Sequence, residues 1–419
     1  MFNKNMKVVV RGFFELIFVL FLFSPQYKNA LTIWIELDLT LLLSMLVLPC
    51  GCYLTVKEYR QRLRSDNRSK ILKLLFLAFA GWCCYRAFGL PIKEYPYSKF
   101  LCFLIYTMPA FFISYLIIGR SQERLYRFMR LTLVFAAAIN FEALRVFLTQ
   151  IGTRMALNNV LDNNYLVAGQ TIGIGIITLT GILLSRFVGN KNIGASYWAE
   201  LMLLTCMIYM QLNLGGRGPV LSGLVALIAM IWLKSLTTSP AITKSMLKRV
   251  FVFIFAFGVF YLLIELMFKM EKQSAFVERI RYDYLQNDES ILLRLKYYKS
   301  AWTMFLEHCL IGVGFGGWPY HHGLGDMECH PHNIFLEIAS ETGLVGLVLF
   351  FSILIVIFSR FTAEKLRSLP LMQTFLCVFL FCFANALKSG DLNDNIAFFC
   401  YMGVLAGMFE RFDKKVTQN

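Results

Sequence analysis

The apolar residues of this chain come in long continuous runs. Twelve are legible, at about 7–24, 39–56, 71–90, 100–119, 131–150, 165–187, 197–213, 219–236, 250–268, 334–358, 369–387 and 396–410. A helix needs about 20 mostly apolar residues to cross a hydrocarbon core roughly 30 Å thick. Within that core only helices and closed barrels satisfy every backbone polar group, and runs that do not alternate disfavour a barrel. The sequence therefore predicts an all-α integral membrane protein of about 12 transmembrane helices, one membrane domain over residues 1–419. Composition agrees: 58% of residues are hydrophobic, 16% are charged, and Phe alone counts 40, far from the soluble average. The first run carries Arg11 and Glu15 and the seventh is short. Ser24-Pro25-Gln26-Tyr27 after the first run makes a poor cleavage site, so a retained helix is expected there and not a signal peptide.

Lys and Arg fix the expected orientation, because short cytoplasmic loops keep positive charge. With a cytoplasmic N-terminus, the inner segments hold Lys57 to Lys70, Arg120 to Arg130, Lys234 to Arg249, Arg360 to Arg367 and Arg411 to Lys415. The outer short loops hold only Lys28, Lys93, Lys99, Arg154, Arg217 and Lys388. Both termini are expected inside. The net charge of +15 is mainly this bias, with attraction to anionic lipid heads; no nucleic-acid motif accompanies it.

One segment, 269–333, is too long and polar to be membrane-spanning and forms the expected large external loop. All five histidines lie at its end, between His308 and His332. Histidine titrates near neutrality, so such clustering points to proton transfer at a membrane surface. Within the loop, Ser290 to Trp302 has a helix-capping serine and then mixed apolar and basic positions at helical spacing, as in an interfacial amphipathic helix. Arg294, Lys296 and Lys299 lie on it. Ile311 to Pro319 is glycine-rich and breaks any helix, letting backbone approach a ligand or another helix. His330-Pro331-His332-Asn333 then leads into the next apolar run, where Asn333, Glu337 and Glu341 share one helix face. Carboxylates in an apolar helix point to a pocket or a polar partner. Earlier, Gly215-Gly216-Arg217-Gly218-Pro219 puts an arginine at the external start of a helix, where the guanidinium and the helix N-terminus together suit a phosphate. Cys309 and Cys329 share the external loop, where an oxidising compartment permits a disulfide.

In this order, Gly-Gly-Arg-Gly-Pro, Arg294 with the following Tyr-Tyr-Lys-Ser-Ala-Trp, Gly-Val-Gly-Phe-Gly, His-Pro-His-Asn-Ile-Phe-Leu-Glu and Glu-Thr-Gly-Leu-Val-Gly resemble the O-antigen polymerase and O-antigen ligase superfamily. The resemblance covers about 215–347, a third of the chain. It implies a GT-C-like, bacterial inner-membrane glycosyltransferase with a periplasmic site. It further implies an undecaprenyl-diphosphate-linked glycan donor, a glycan acceptor, membrane lipids around the site, inversion at the anomeric carbon, and no nucleotide sugar, metal or cofactor. A flippase and a chain-length regulator are the expected partners. By the resemblance Arg217 and Arg294 hold the donor diphosphate and His332 acts at the acceptor hydroxyl, with His330, Asn333, Glu337, Lys296 and Lys299 as substrate-binding neighbours. Gly-Arg-Gly-Pro and Pro-His-Asn-Ile-Phe-Leu-Glu are similar to the polymerase branch, whereas His330 two residues before His332 also occurs in ligase-like sequences. Two other readings stay open: a zinc or copper site from His321, His322, Cys329, His330 and His332, and a transporter using Glu142, Arg145, Glu200 and Glu265.

Overall fold

The computed structural model describes residues 2–27, 38–61, 67–149, 159–160, 163–188, 194–214, 216–240, 242–248, 289–368 and 370–416, with scattered positions between 250 and 258. Most of the run at 250–268, the loop from Lys269 to Asp288, Arg154, Gly215 and Glu265 lie outside the described residues. The elements are α1 (Phe2–Leu22), α2 (Leu39–Gln61), α3 (Asn67–Phe88), α4 (Glu94–Ile118), α5 (Gln122–Thr149), α6 (Tyr165–Val188), α7 (Ala195–Asn213), α8 (Arg217–Thr237), α9 (Glu289–Glu307), α10 (Ile334–Phe358), α11 (Pro370–Ala386) and α12 (Ile396–Val416). Asn159–Val160 and Asn163–Asn164 pair as a two-residue antiparallel ladder. Every predicted apolar run within the described residues is helical. Among them seven helices, α2 to α6, α8 and α10, are long and apolar enough to cross a membrane, so the chain is an all-helical integral membrane protein.

The core is built largely of Phe, with Phe18, Phe76, Phe79, Phe111, Phe128 and Phe350 fully buried. Helices approach closely where side chains are small. A Cβ on Gly403 would lie 2.3 Å from the Phe111 carbonyl and one on Gly407 2.5 Å from that of Tyr115. This four-residue glycine spacing lets α12 lie against α4 backbone to backbone, the packing that membrane helices use when no hydrophobic force drives them together. α4 widens into π-turns at Phe103–Thr107 and Ser114–Ile118, the first ending two residues before Pro109, which has no amide hydrogen to continue the ladder.

Charges divide by bundle end. At one end Arg124 and Arg127 reach Glu15 at 3.3 and 3.0 Å, Arg120 bonds Glu410, and Lys365 meets Asp413 at 2.6 Å. Lys93, Lys99, the start of α8 and Lys388 lie at the other. The charges that suggested transport are paired locally, Glu142 with Arg145 at 2.6 Å and Glu200 with Arg186 at 2.9 Å.

Two sequence-based expectations need correction. α4 begins at Glu94 and not near residue 100, because Asp326 accepts from the amides of Lys93, Glu94 and Tyr95 at 3.2, 3.0 and 2.9 Å and caps the helix from a loop more than two hundred residues away. Those bonds hold the Asp326 carboxyl below the usual range. Lys99, expected in a short outer loop, is therefore one turn inside a helix and fully buried. Cys309 and Cys329 are both free thiols; Cys329 lies against the Tyr297 hydroxyl at 3.9 Å.

Candidate active site

α10 is not one straight helix. Gly343, with φ 66°, breaks it after the first turns, freeing carbonyls that a membrane interior would leave unsatisfied. The glycine-rich segment supplies the missing donors, Val313 N–H to Ser340 O at 2.7 Å and Gly314 N–H to Glu341 O at 2.9 Å, while past the break Leu344 N–H of α10 donates to Cys309 O at 2.7 Å. Gly312, at φ 69°, lies so close that a Cβ would fall 2.5 Å from the Glu341 backbone. The glycines thus bring backbone against another helix, one of the two roles their density suggests.

Below this joint lies a buried ion cluster. Lys99 Nζ is 2.6 Å from Glu337 Oε1 and 2.8 Å from Glu341 Oε2, and both carboxylates are 1% exposed. Glu341 also accepts from Gly316 N–H at 2.8 Å, Glu337 from Leu392 N–H at 3.2 Å, and the Lys99 carbonyl from Asn393 at 2.8 Å. One lysine thereby ties α4, α10, the glycine-rich segment and the 387–395 loop together. Removing one partner of a buried ion pair leaves uncompensated charge and costs about 3–5 kcal/mol. Lys99→Met should lower the thermal midpoint in detergent sharply, and adding Glu337→Gln and Glu341→Gln should restore part of it. A single variant as stable as the unaltered protein would show that the cluster does not hold the bundle.

The histidine pair sits on this frame. Asn333 caps α10, its Oδ1 accepting from Phe335 and Leu336 N–H at 3.0 and 3.1 Å, while its Nδ2 donates to Leu387 O at 2.8 Å. His332, just before it, has φ 57°, a left-handed conformation costing on the order of 1–3 kcal/mol for a non-glycine residue. The His330 and His332 rings are 4.3 Å apart, edge to face, and Tyr297 stacks over His332 at 6.3 Å. Among the described residues neither His330 Nε2 nor His332 Nδ1 has a hydrogen-bond partner. Burial first, then the His330 and Arg294 charges, push His332 down to about 4; burial likewise lowers His330. Both imidazoles are neutral near pH 7, as a base must be.

α9 brings Arg294 to the same place. Tyr297, Ala301 and Met304 form its buried face, packed with Val313 and Trp318, so it rests on the loop and α10. Ser290 falls inside its first turn, after Glu289. Lys296 and Lys299 are exposed and stand clear of the cavity. Arg294, His330 and His332 line one cavity of about 420 Å³ with the ends of α1, α4 and α6, the start of α2 and the 389–397 segment. Glu337 and Asn333 lie outside its lining, each committed to internal partners.

Arg217 is the first residue of α8, half-buried, and does not line the cavity. Lys388, next in sequence to the lining residue Ser389, donates from Nζ to the carbonyl of the neighbouring Gly218 at 2.6 Å. Burial and the neighbouring Arg294 charge push the Lys388 amine down to about 8. Lys388, Asp391, Gln26 and Lys99 are site residues that sequence reasoning passed over. The polar stretch Lys388-Ser389-Gly390-Asp391-Leu392-Asn393-Asp394-Asn395 between two apolar runs was the available signal; for Gln26 there was none.

The histidines divide among separate contacts. His322 stacks on Trp318 at 4.8 Å and meets Ser300 Oγ at 2.7 Å, while His308 faces His321 at 6.1 Å. Among the described residues no three His, Cys, Asp or Glu side chains gather to hold a metal ion.

This is a polytopic helical membrane protein with neutral imidazoles and a guanidinium facing one cavity at a bundle end. A family model described as O-antigen ligase matches residues 201–351, from within α7 to within α10, spanning Arg217, Arg294, His330 and His332. This match, over about a third of the chain, supports the likeness to the O-antigen polymerase and ligase superfamily. A search of curated proteins gave no match.

Proposed function

We propose that the chain is an O-antigen polymerase. It moves a glycan from undecaprenyl diphosphate to a sugar hydroxyl of a lipid-linked repeat unit, at the periplasmic face of a bacterial inner membrane. The shared cavity of His330, His332 and Arg294 is the observation that carries the reading. Neutral His332 takes the proton of the incoming hydroxyl, the hydroxyl oxygen bonds to sugar C1, and the C1–O bond to the diphosphate breaks. Arg294, with Lys388 and Arg217 behind it, stabilises the charge that collects on the departing diphosphate. In-line attack inverts the anomeric carbon. No residue in this scheme requires a metal or a nucleotide sugar. In the proposed topology twelve spans in a GT-C-like arrangement put both termini in the cytoplasm and the cavity outside, with the Arg120, Arg124 and Arg127 end inside in keeping with the positive-inside bias. A flippase delivers the donor and a chain-length regulator acts on the product. Asn333 and Glu337 position the histidines and do not touch substrate.

A ligase that moves the finished glycan to lipid A–core is the second reading, favoured by the His330-x-His332 pattern and by the description of the matching family. Purified protein given undecaprenyl-diphosphate-linked repeats alone should form lipid-linked polymer. Transfer that requires lipid A–core would make it the ligase, and no transfer to either acceptor would overturn both. In a deletion strain the polymerase reading expects lipopolysaccharide with a single O-unit, the ligase reading none.

A further inference from the structure

The cavity lining is mixed. Arg294, His330, His332 and Glu328 contribute to it, as does α4, whose Lys99 is already paired with Glu337 and Glu341; the part from α1, α2, α6 and the 389–397 segment includes Gln26, Asp38, Thr40, Gln170, Thr171 and Asp391 and carries no Lys or Arg. Gln26 stands out. It is 0% exposed, yet among the described residues neither its Oε1 nor its Nε2 has a hydrogen-bond partner, which a buried amide rarely tolerates without a reason. Its backbone is pinned: Gln26 N–H donates to Phe23 O at 2.9 Å, Ser24 Oγ to Thr40 Oγ1 at 2.8 Å, and Tyr27 Oη to Leu20 O at 2.7 Å. Asp38 Oδ1 caps α2 through Thr40 N–H at 2.7 Å. The loop on the far side is equally fixed, with Asp391 Oδ1 accepting from Asn393 and Asp394 N–H, each at 2.7 Å.

We propose that this part of the cavity is the subsite for the acceptor sugar, with the Gln26 amide as a specificity-determining contact to a pair of neighbouring hydroxyls. The proposal rests on the glycosyltransferase reading and deepens it. An amide offers one acceptor and two donors in one plane, so one hydroxyl donates to Oε1 while the next accepts from Nε2. The carboxylates of Asp38 and Asp391 repel a diphosphate but accept from sugar hydroxyls. The charged donor is drawn to Arg294, and the uncharged ring to the amide and acids. The whole cavity is of small-ligand size, within the range of about 300–1,000 Å³, so a ring held by Gln26 shares the space into which His332 faces. Gln26 lies far outside the matched 201–351 stretch, so acceptor choice is set by a part of the chain separate from the donor arginines.

The test uses the full-length protein in nanodiscs with undecaprenyl-diphosphate-linked repeats as donor and a fluorescent lipid-linked repeat as acceptor. Gln26→Leu, close in volume and removing no internal partner, should raise the KM for the labelled acceptor about tenfold or more. Binding of undecaprenyl diphosphate itself should stay within twofold, and the thermal midpoint should hold or rise. An unchanged acceptor KM, meaning that the amide holds only water, would overturn the subsite; so would a fall in diphosphate binding or in thermal midpoint. Absence of transfer by the unaltered protein would instead overturn the glycosyltransferase reading beneath it.

Discussion

Replacing His332 with alanine is expected to abolish glycan transfer while the protein still accumulates in the membrane. A positioned general base contributes about 10²–10⁴-fold, and no other imidazole in the cavity has the same place at the start of α10. Because His332 has φ 57°, His332→Asn is the better control for folding, since asparagine tolerates the left-handed region; it should be equally inactive. The pH profile carries more information than the loss. An ordinary histidine would lose base function as pH falls through about 6.5, the expectation from sequence alone. Burial, His330 and Arg294 instead push His332 down to about 4. The neutral, active form therefore persists on acidification, and kcat/KM should be flat from pH 8 to about 5 and fall only below that. The donor diphosphate favours the imidazolium, so the acid limb of kcat should lie at higher pH than that of kcat/KM. His330→Ala should retain measurable activity, and its kcat/KM limb should move up, since a like charge that opposes protonation of His332 is gone. An acid limb near 6.5 in the unaltered protein, or no shift in His330→Ala, would remove His332 as the base.

How much of this was legible in sequence follows from the range of the forces involved. Continuous apolar runs report burial in lipid residue by residue, so helix positions were readable; the cap at Asn333 is local too, needing only atoms two and three residues away. The partners of Glu337 and Glu341 were not, because Lys99 comes from more than two hundred residues upstream. The cap of α4 by Asp326 failed to show for the same reason. Lys296 and Lys299 looked equivalent to Arg294 as cations on one amphipathic segment. The phase of α9, set by Tyr297, Ala301 and Met304 packing on the glycine-rich loop, separates them: only Arg294 turns to the cavity. Gln26 carried no sequence signal, since its significance is that no described residue partners its buried amide.

The arginines should act as one unit. Arg294→Ala is expected to lose binding of undecaprenyl diphosphate, Arg217→Ala to do the same, and the double variant to be no worse than either, because groups that serve one ligand give strongly non-additive effects. Arg217→Lys should not rescue, since an ammonium cannot hold two phosphate oxygens side by side as a guanidinium does. The structure adds a third member. Lys388 reaches Gly218 O beside Arg217 at 2.6 Å and is pushed down to about 8 by burial and by Arg294, so part of its charge is absent above that pH. An arriving diphosphate restores the charge and with it takes up a proton. Donor affinity should consequently weaken as pH rises through 8, and this dependence should vanish in Lys388→Met, whose affinity is uniformly lower. Direct titration of undecaprenyl diphosphate into the nanodisc-embedded protein between pH 7 and 9 measures both effects. Near-normal binding in Arg217→Lys would reduce Arg217 to an interfacial side chain, and additive losses in the double variant would separate the two arginines into different sites.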